Sequence, residues 1–176
     1  MQSERHWKMK QHIFLIGFMG TGKSTVSRRL KNLLKVREID MDQAIVRESG
    51  MRIPEMFERF GEAYFREKET QMLRTLSARA PAVISCGGGT VLRPENVEIM
   101  KNSGKIVLLT ATPETVFRRV RYGRERPILN GHMNVAYIAQ LMDKRRAAYE
   151  SACDVRVSTD DKTPEMIAEE ILELCR

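Results

Sequence analysis

The sequence predicts an α/β fold in which helices cover both faces of a parallel five-stranded sheet. Short segments with strand character alternate with helical stretches along the chain, which is the pattern of a parallel sheet wrapped by helices. A glycine-rich loop joins the first strand to the first helix, in the order that α/β proteins use to hold phosphates. The predicted strands are residues 13–17, 36–39, 82–86, 105–110 and 154–158.

The loop after the first strand reads GFMGTGKST over residues 17–25 and matches the pattern G-x-x-x-x-G-K-[ST]. In such a loop, glycines let backbone N–H groups point at phosphate oxygens, and the following helix adds its positive end. Lys23 would reach the terminal phosphates, Ser24 would supply an oxygen to Mg²⁺, and Thr25 would help to hold the start of the helix. The residues predicted to bind nucleotide here are Gly20, Thr21, Gly22, Lys23, Ser24 and Thr25.

Two carboxylates, Asp40 and Asp42, end the second strand in the motif IDMD. Beside a phosphate loop, one acid can hold a water of a Mg²⁺ ion while the other accepts a hydrogen bond from an acceptor hydroxyl. The alternative is that Asp42 only caps the next helix, as Asp often does. Residues 34–38 are unusually polar for an internal strand, so we predict an edge strand.

A helical insert is predicted over residues 41–80. About forty residues separate the second and third strands, whereas a simple crossover needs roughly a dozen or more. The extra length is typical of helices over residues 41–49, 53–60 and 62–80. Material on the carboxyl side of the strands commonly forms the pocket for a second substrate.

The third strand runs into three consecutive glycines, Gly87, Gly88 and Gly89, in the motif CGGGT. Glycines cost backbone entropy on folding, so their presence indicates that some group approaches the main chain too closely for a Cβ atom. The alternative is a flexible hairpin tip.

The second half of the chain begins helices at Thr112-Pro113 and Thr163-Pro164, each with proline in the first turn. The last helix is predicted over residues 164–174, with a sheet-facing side formed by Met166, Ile167, Ile171 and Leu174. Residues 122–134 contain two glycines, a proline and several polar residues. We therefore predict a mobile loop between two helices there.

The composition fits one domain. The chain has 176 residues, of which 42% are hydrophobic and 6% are aromatic, and this is enough for a single core. We predict one domain over residues 12–176, preceded by a flexible polar leader over residues 1–11. Three cysteines without metal-type spacing indicate a reducing compartment, and no run approaches 18 apolar residues, so we expect a cytoplasmic protein without a membrane partner.

The formal charge of +7, from 30 basic and 23 acidic residues, would suit either a nucleic-acid binder or an enzyme with polyanionic substrates. Basic and acidic residues are interleaved along most of the chain, which is typical of solvated helix faces. Three arginines have suggestive neighbours, namely Arg66, Arg126 and Arg145. Each alone is expected to be a surface cation, although arginine is suited to two-point capture of carboxylate or phosphate.

Five motifs in this order, GFMGTGKST, IDMD, YFREKE, CGGGT and RERPIL, resemble those of the shikimate kinases. These are small P-loop phosphotransferases that move the γ-phosphate of ATP to the 3-hydroxyl of shikimate. The resemblance covers nearly everything from Ile13 onward. It implies a P-loop kinase-like sheet, a helical substrate-binding insert over residues 41–80 and a mobile lid over residues 122–134.

On the nucleotide side, the resemblance implies that Lys23 contacts the β- and γ-phosphates and that Ser24 binds Mg²⁺. Asp40 would add a water-mediated metal contact. Arg119 matches the residue that lies along the adenine, and Arg126 matches the lid arginine that swings over the phosphates. The catalytic residues it implies are Lys23, Asp42 and Arg126.

On the acceptor side, Asp42 matches the residue that engages the shikimate hydroxyls, as a base or an orienting group. Arg66 and Arg145 match the pair that binds the shikimate carboxylate, and the three glycines match the backbone against the shikimate ring. The chain departs from the family pattern at Cys86, where Thr is more common. A thiol is a poor substitute for a hydroxyl that helps to order the metal's water shell.

Other functions have less support. A gluconate or nucleoside monophosphate kinase would share the scaffold, but CGGGT and the two arginines favour a small carboxylated polyol. A regulatory GTPase would need N-K-x-D and D-x-x-G motifs, which are absent from the sequence. A nucleic-acid-binding ATPase is supported only by the charge. We expect a monomer that uses ATP, Mg²⁺ and shikimate and binds no nucleic acid.

Overall fold

A computed structural model describes residues 9–121 and 134–176 of the chain. Most of the predicted leader, most of the predicted lid and Arg126 therefore lie outside the described residues. In the described part the fold is α/β, with five parallel strands in the order β2-β3-β1-β4-β5. The strands are β1 His12–Ile16, β2 Arg37–Asp40, β3 Ala82–Ser85, β4 Gly104–Thr110 and β5 Val155–Ser158. The predicted fold class is confirmed.

The central strand β1 is buried on both faces. Its side chains alternate, so that Ile13 and Leu15 join one hydrophobic cluster while Phe14 and Ile16 join the other. This alternation follows from the two-residue period of a strand. Strand β2 lies at the sheet edge beside β3, as its polar sequence predicts, with Ile39 paired to Ile84.

The helices of the described part cover both faces of the sheet. Those on the first face are α1 Lys23–Leu34 and α8 Pro164–Leu174, which pack on the cluster of Ile13 and Leu15. The others contribute to the opposite cluster. They are α2 Met41–Ser49, α3 Ile53–Phe60, α4 Glu62–Ser77, α5 Pro94–Ser103, α6 Pro113–Val120 and α7 Val135–Ala152.

The segment between β2 and β3 is helical, as predicted, although α4 ends at Ser77 rather than at residue 80. The predicted starts of α6 and α8 are confirmed, because Thr112 and Thr163 cap them and a proline follows each cap. The predicted sheet-facing side of α8 is partly wrong. Ile167 and Ile171 are buried, whereas Met166 and Leu174 are each 51% exposed.

That error in α8 has a geometric cause. Met166 precedes the buried position Ile167 by one residue, which is a rotation of about 100° around a helix. Leu174 is the last residue of α8. None of the helices in the described ranges is both long and apolar enough to span a bilayer.

Candidate active site

The predicted site residues that the structure describes gather where the carboxyl ends of β1, β2 and β3 meet. The phosphate loop follows β1, Asp40 ends β2, and the three glycines follow β3. Because these strands are parallel neighbours, their ends lie along the same edge of the sheet.

The phosphate loop has positive φ at three glycines, Gly17 with φ 145°, Gly20 with φ 76° and Gly22 with φ 96°. Gly22 occupies the N-cap position of α1, and no side chain caps that helix. The first N–H groups of a helix have no partner within the helix, so this end of α1 suits an anion. The Thr21 hydroxyl donates to the Phe18 carbonyl at 2.8 Å, and Thr25 is exposed in the first turn of α1.

The ammonium group of Lys23 folds back over the phosphate loop. Its Nζ atom donates to the carbonyl oxygens of Gly17 at 2.8 Å and Phe18 at 3.0 Å. Arg119, from α6, also reaches the loop, because its Nη1 donates to the Gly20 carbonyl at 3.1 Å. The same guanidinium donates to the hydroxyl and the carbonyl of Thr159, each at 3.0 Å. Two cations, Lys23 within the loop and Arg119 on α6, thus bond to loop carbonyls.

Asp40, not Asp42, is the N-cap of α2. Its Oδ1 accepts from the backbone N–H of Gln43 at 3.1 Å, and its Oδ2 accepts from the Ser24 hydroxyl at 3.4 Å. The alternative that Asp42 merely caps this helix is therefore wrong.

A hydroxyl and a carboxylate side by side, as in Ser24 and Asp40, are the hard oxygen ligands that Mg²⁺ accepts. No cluster of three His, Cys, Asp or Glu residues that could hold a metal occurs within residues 9–121 and 134–176. This composition fits Mg²⁺, which keeps several waters and is usually held by one or two protein groups together with substrate phosphates.

Asp42 is a partly buried residue whose Oδ1 atom is itself buried and has no hydrogen bond from any described residue. The pKa of Asp42 is raised to about 6, first by burial and then by the neighbouring carboxylates of Glu69 and Asp40, against the lowering effect of Lys23 and Arg66. A carboxylate with a pKa near 6 can accept a proton at neutral pH.

The three glycines make room for the side chains around them. A Cβ atom at Gly87 would lie 2.9 Å from Asp42 Oδ1, and one at Gly88 would lie 3.2 Å from Arg145 Nη1. A Cβ atom at Gly89 would lie within 2.4 to 2.6 Å of three atoms of the Arg66 guanidinium. The predicted close approach is confirmed. The hairpin alternative is wrong, because a 3₁₀ turn and then α5 follow the loop.

Arg66 and Arg145 reach these glycines from two different helices, α4 and α7. The Arg145 guanidinium lies 5.9 Å from the centre of the Phe18 ring, and the Tyr149 hydroxyl on the same helix donates to the Gly88 carbonyl. The structure therefore brings Asp42 and both arginines to one stretch of backbone.

Sequence reasoning missed Glu69 and Thr90. The Glu69 side chain is fully buried, and its Oε2 accepts from Arg66 Nη1 at 2.7 Å. Its Oε1 accepts from the Thr90 hydroxyl at 2.8 Å. Burial disfavours the charge of Arg66, but Glu69 and Glu62 more than compensate and raise its pKa. The available signal was the three-residue spacing of Arg66 and Glu69 in YFREKE, which places both on one side of a helix.

Cys86 has its thiol in the hydrophobic core, with Sγ 4.0 Å from Met100 Sδ. Burial raises the pKa of the Cys86 thiol, so the group stays protonated. A buried, protonated thiol is neither a nucleophile nor a metal ligand.

Comparison with known proteins places this geometry in a family. The family model for shikimate kinase matches residues 19–176. The chain belongs to the shikimate kinase family. A shikimate kinase from Enterococcus faecalis is 40% identical over 165 residues, which span 93% of this chain and 97% of the relative.

Solved structures of shikimate kinases have the same architecture. The shikimate kinase from Acinetobacter baumannii in complex with shikimate superposes with a TM-score of 0.87 at 33% identity, covering 93% of this chain and 92% of that one. A gluconokinase from Sinorhizobium meliloti reaches only 0.57 at 16% identity, covering 96% of this chain and 93% of that one, and so shares the fold alone.

Proposed function

We propose that this shikimate kinase family member transfers the γ-phosphate of ATP to the 3-hydroxyl of shikimate. The observation that carries the proposal is the convergence of one partly buried carboxylate, Asp42, and two guanidinium groups, Arg66 and Arg145, on the three-glycine backbone. An acceptor with a carboxylate at one end and a hydroxyl at the other fits this set of groups.

At the nucleotide end, the phosphate loop and Lys23 bind the β- and γ-phosphates, and Arg119 lies along the adenine. Arg126 lies outside the described residues, and the resemblance alone assigns it to the phosphates. Ser24 and, through a water, Asp40 would hold Mg²⁺, which would supply positive charge to the phosphate oxygens. Phosphoryl transfer needs little covalent chemistry from the protein, so positioning and charge neutralisation account for these residues.

At the acceptor end, Arg66 and Arg145 bind the carboxylate of the ring. Asp42 orients that hydroxyl and accepts its proton, for which the raised pKa is suited. The helical insert over residues 41–80 supplies both Asp42 and Arg66. Glycine at positions 87–89 lets the ring lie directly on the main chain.

We also propose that the protein acts as a cytoplasmic monomer, that residues 12–176 form one domain, and that nucleic acid is not a partner. The basic and acidic residues are interleaved in the sequence, which favours a surface of mixed charge rather than a continuous basic face.

The test is release of ADP with shikimate, quinate, gluconate and AMP offered separately as acceptors. We expect turnover with shikimate and none with gluconate or AMP, because gluconate lacks the rigid ring and AMP lacks the carboxylate. Turnover with gluconate or AMP but not with shikimate would overturn the proposal. Omitting Mg²⁺ should abolish turnover with every acceptor.

A further inference from the structure

The guanidinium of Arg66 is hydrogen-bonded to two carboxylates of the protein itself, without any bound substrate. Its Nε and Nη2 groups donate to Glu62 Oε1 at 3.2 and 3.1 Å, and its Nη1 group donates to Glu69 Oε2 at 2.7 Å. An arginine has five N–H donors. Counting the described residues, three donors are used, and the two that are left lie one on each terminal nitrogen.

The two carboxylates that hold Arg66 differ in their surroundings. Glu69 is fully buried, and the hydroxyl of Thr90 fixes the oxygen that Arg66 does not use. The Glu62 side chain, in the first turn of α4, is 62% exposed, while that of Arg66 is only 14% exposed. Rotation of the guanidinium would break at least one of these bonds, so the group is held in one orientation.

We propose that Glu62 and Thr90 are positioning residues for the carboxylate of the acceptor, an inference that rests on the proposed function. Glu62 fixes one edge of the Arg66 guanidinium directly, and Thr90 fixes the opposite edge through Glu69. One N–H on Nη1 and one on Nη2 remain for the carboxylate of the acceptor, a group that arginine can bind at two points.

The two acids around Arg66 also repel the carboxylate of the acceptor. Whether Glu62 strengthens or weakens acceptor binding therefore depends on the balance between this repulsion and the benefit of holding Arg66 in place. Glu62 is mostly exposed, and water and salt screen the repulsion from an exposed charge. An arginine side chain has substantial rotamer entropy, which it normally loses when it binds a ligand. If the side chain is already fixed, this loss no longer weakens binding. We therefore expect the net contribution of Glu62 to acceptor affinity to be favourable.

The experiment compares Glu62→Gln, Thr90→Val and Thr90→Ser with the wild type. The matched control is Glu55→Gln, because Glu55 pairs with Arg59 at 3.0 Å in the same i,i+4 spacing on the neighbouring helix α3, where both side chains are exposed. Calorimetry gives the Kd of shikimate and of a non-hydrolysable ATP analogue, and steady-state kinetics give KM and kcat.

We expect Glu62→Gln to raise the Kd of shikimate about 2- to 5-fold. Thr90→Val should raise it about 10-fold, because it leaves a buried carboxylate oxygen without its donor. Thr90→Ser keeps the hydroxyl and should restore binding. The ATP analogue should bind equally to all variants, and Glu55→Gln should match the wild type. With Arg66→Lys already present, Glu62→Gln should have no further effect.

Tighter shikimate binding by Glu62→Gln would show that Glu62 competes with the acceptor, and this would overturn the inference. Unchanged binding by both Glu62→Gln and Thr90→Val would overturn it as well. Equal losses for shikimate and the ATP analogue would mean that the substitutions act on the fold as a whole. A wild type that neither binds nor phosphorylates shikimate would instead overturn the proposed function.

Discussion

Asp42 is the residue at which folding and the proposed chemistry have opposite requirements. Its pKa in the folded protein is about 6, against an ordinary value of 3.8. Below about pH 3.8 the carboxyl is protonated in both the folded and the unfolded chain, so burial has no electrostatic penalty there. As the pH rises through 6 the folded protein must hold a buried charge, and the penalty is then complete.

The predicted consequence is that Asp42→Asn stabilises the protein when metal and nucleotide are absent. The free energy of unfolding at pH 7.5 should rise by roughly 1–3 kcal/mol, because the buried charge is removed. Urea unfolding at pH 7.5 and at pH 4.5 measures the effect, and the gain should be smaller at pH 4.5. An equal gain at both values would mean that the charge of Asp42 is not the cause.

The same substitution should slow catalysis. Asparagine keeps the size of the side chain but cannot accept the proton of the hydroxyl, so we expect kcat to fall by about 10²-fold or more. Steady-state kinetics with ATP and shikimate measure this change. An effect confined to the KM for ATP would place Asp42 on the nucleotide side of the site.

Lys23→Ala should abolish turnover and leave the fold intact. The Lys23 ammonium bonds to two loop carbonyls and does not belong to the hydrophobic clusters, so its loss leaves the core unchanged. ADP release and far-UV circular dichroism measure the two properties. Activity equal to that of the wild type would exclude the phosphate loop from the mechanism.

The glycine loop between β3 and α5 is an element whose function depends on space rather than on backbone strain. Gly89 has φ −103°, which any residue can adopt, yet a Cβ atom there would overlap the guanidinium of Arg66. We therefore expect Gly89→Ala to displace Arg66 and to raise the Kd of shikimate about 10- to 100-fold. Calorimetry with shikimate and an ATP analogue tests this, and equal losses for both ligands would contradict it.

Helices α4 and α7 each supply one arginine to the proposed carboxylate site. Arg66→Lys or Arg145→Lys keeps the charge but loses the planar two-point contact. Each should weaken shikimate binding by about 10- to 150-fold, since each charge-assisted bond contributes roughly 1.5–3 kcal/mol. The two losses should be non-additive in a double-mutant cycle, because both groups would hold one carboxylate. Strictly additive losses would mean that the two arginines do not bind the same carboxylate.

The elements could be predicted from the sequence where local signals are strong. Thr-Pro pairs predict the starts of α6 and α8, and the bounds of α2 and α3 agree with their local pattern. The end of α4 was missed, because its last turn carries no glycine or proline before Pro81. The contacts of Glu69 with Thr90 could not be predicted either, since they join residues 21 positions apart through tertiary packing.

For the whole molecule, alternation of strands and helices predicts a parallel sheet but not which strands are neighbours. The central place of β1 between β3 and β4 depends on pairing between segments about 70 and 90 positions apart. The polarity of β2 does predict an edge, because an edge strand tolerates exposed side chains. Site residues that follow different strands lie close together because of this strand order. Motifs in the sequence identify each of these residues but do not show that they are neighbours.

His12, which bonds β1 to β3, should make the stability of the fold depend on pH. It begins β1 and is only 3% exposed, and its Nδ1 accepts from the backbone N–H of Ala82, the first residue of β3, at 3.1 Å. Burial lowers the pKa of His12 below 6.5, and bonds to the backbone of Ser77 and Arg79 offset this only in part. The fold therefore favours the neutral ring, whereas the unfolded chain takes up a proton as the pH falls through 6.5.

Stability should consequently fall with pH below about 6.5, at a slope of up to about 1.4 kcal/mol per pH unit for this one group. His12→Asn keeps an acceptor near the position of Nδ1 but cannot titrate. Urea unfolding of both proteins from pH 7.5 to 5.5 should show the wild type losing stability relative to the variant. Asp42 titrates in the same pH range and changes the free energy of unfolding in the opposite direction. Because Asp42 is present in both proteins, its effect cancels in the difference between them. Parallel profiles would mean that His12 is charged, or remains neutral, equally in the folded and unfolded states.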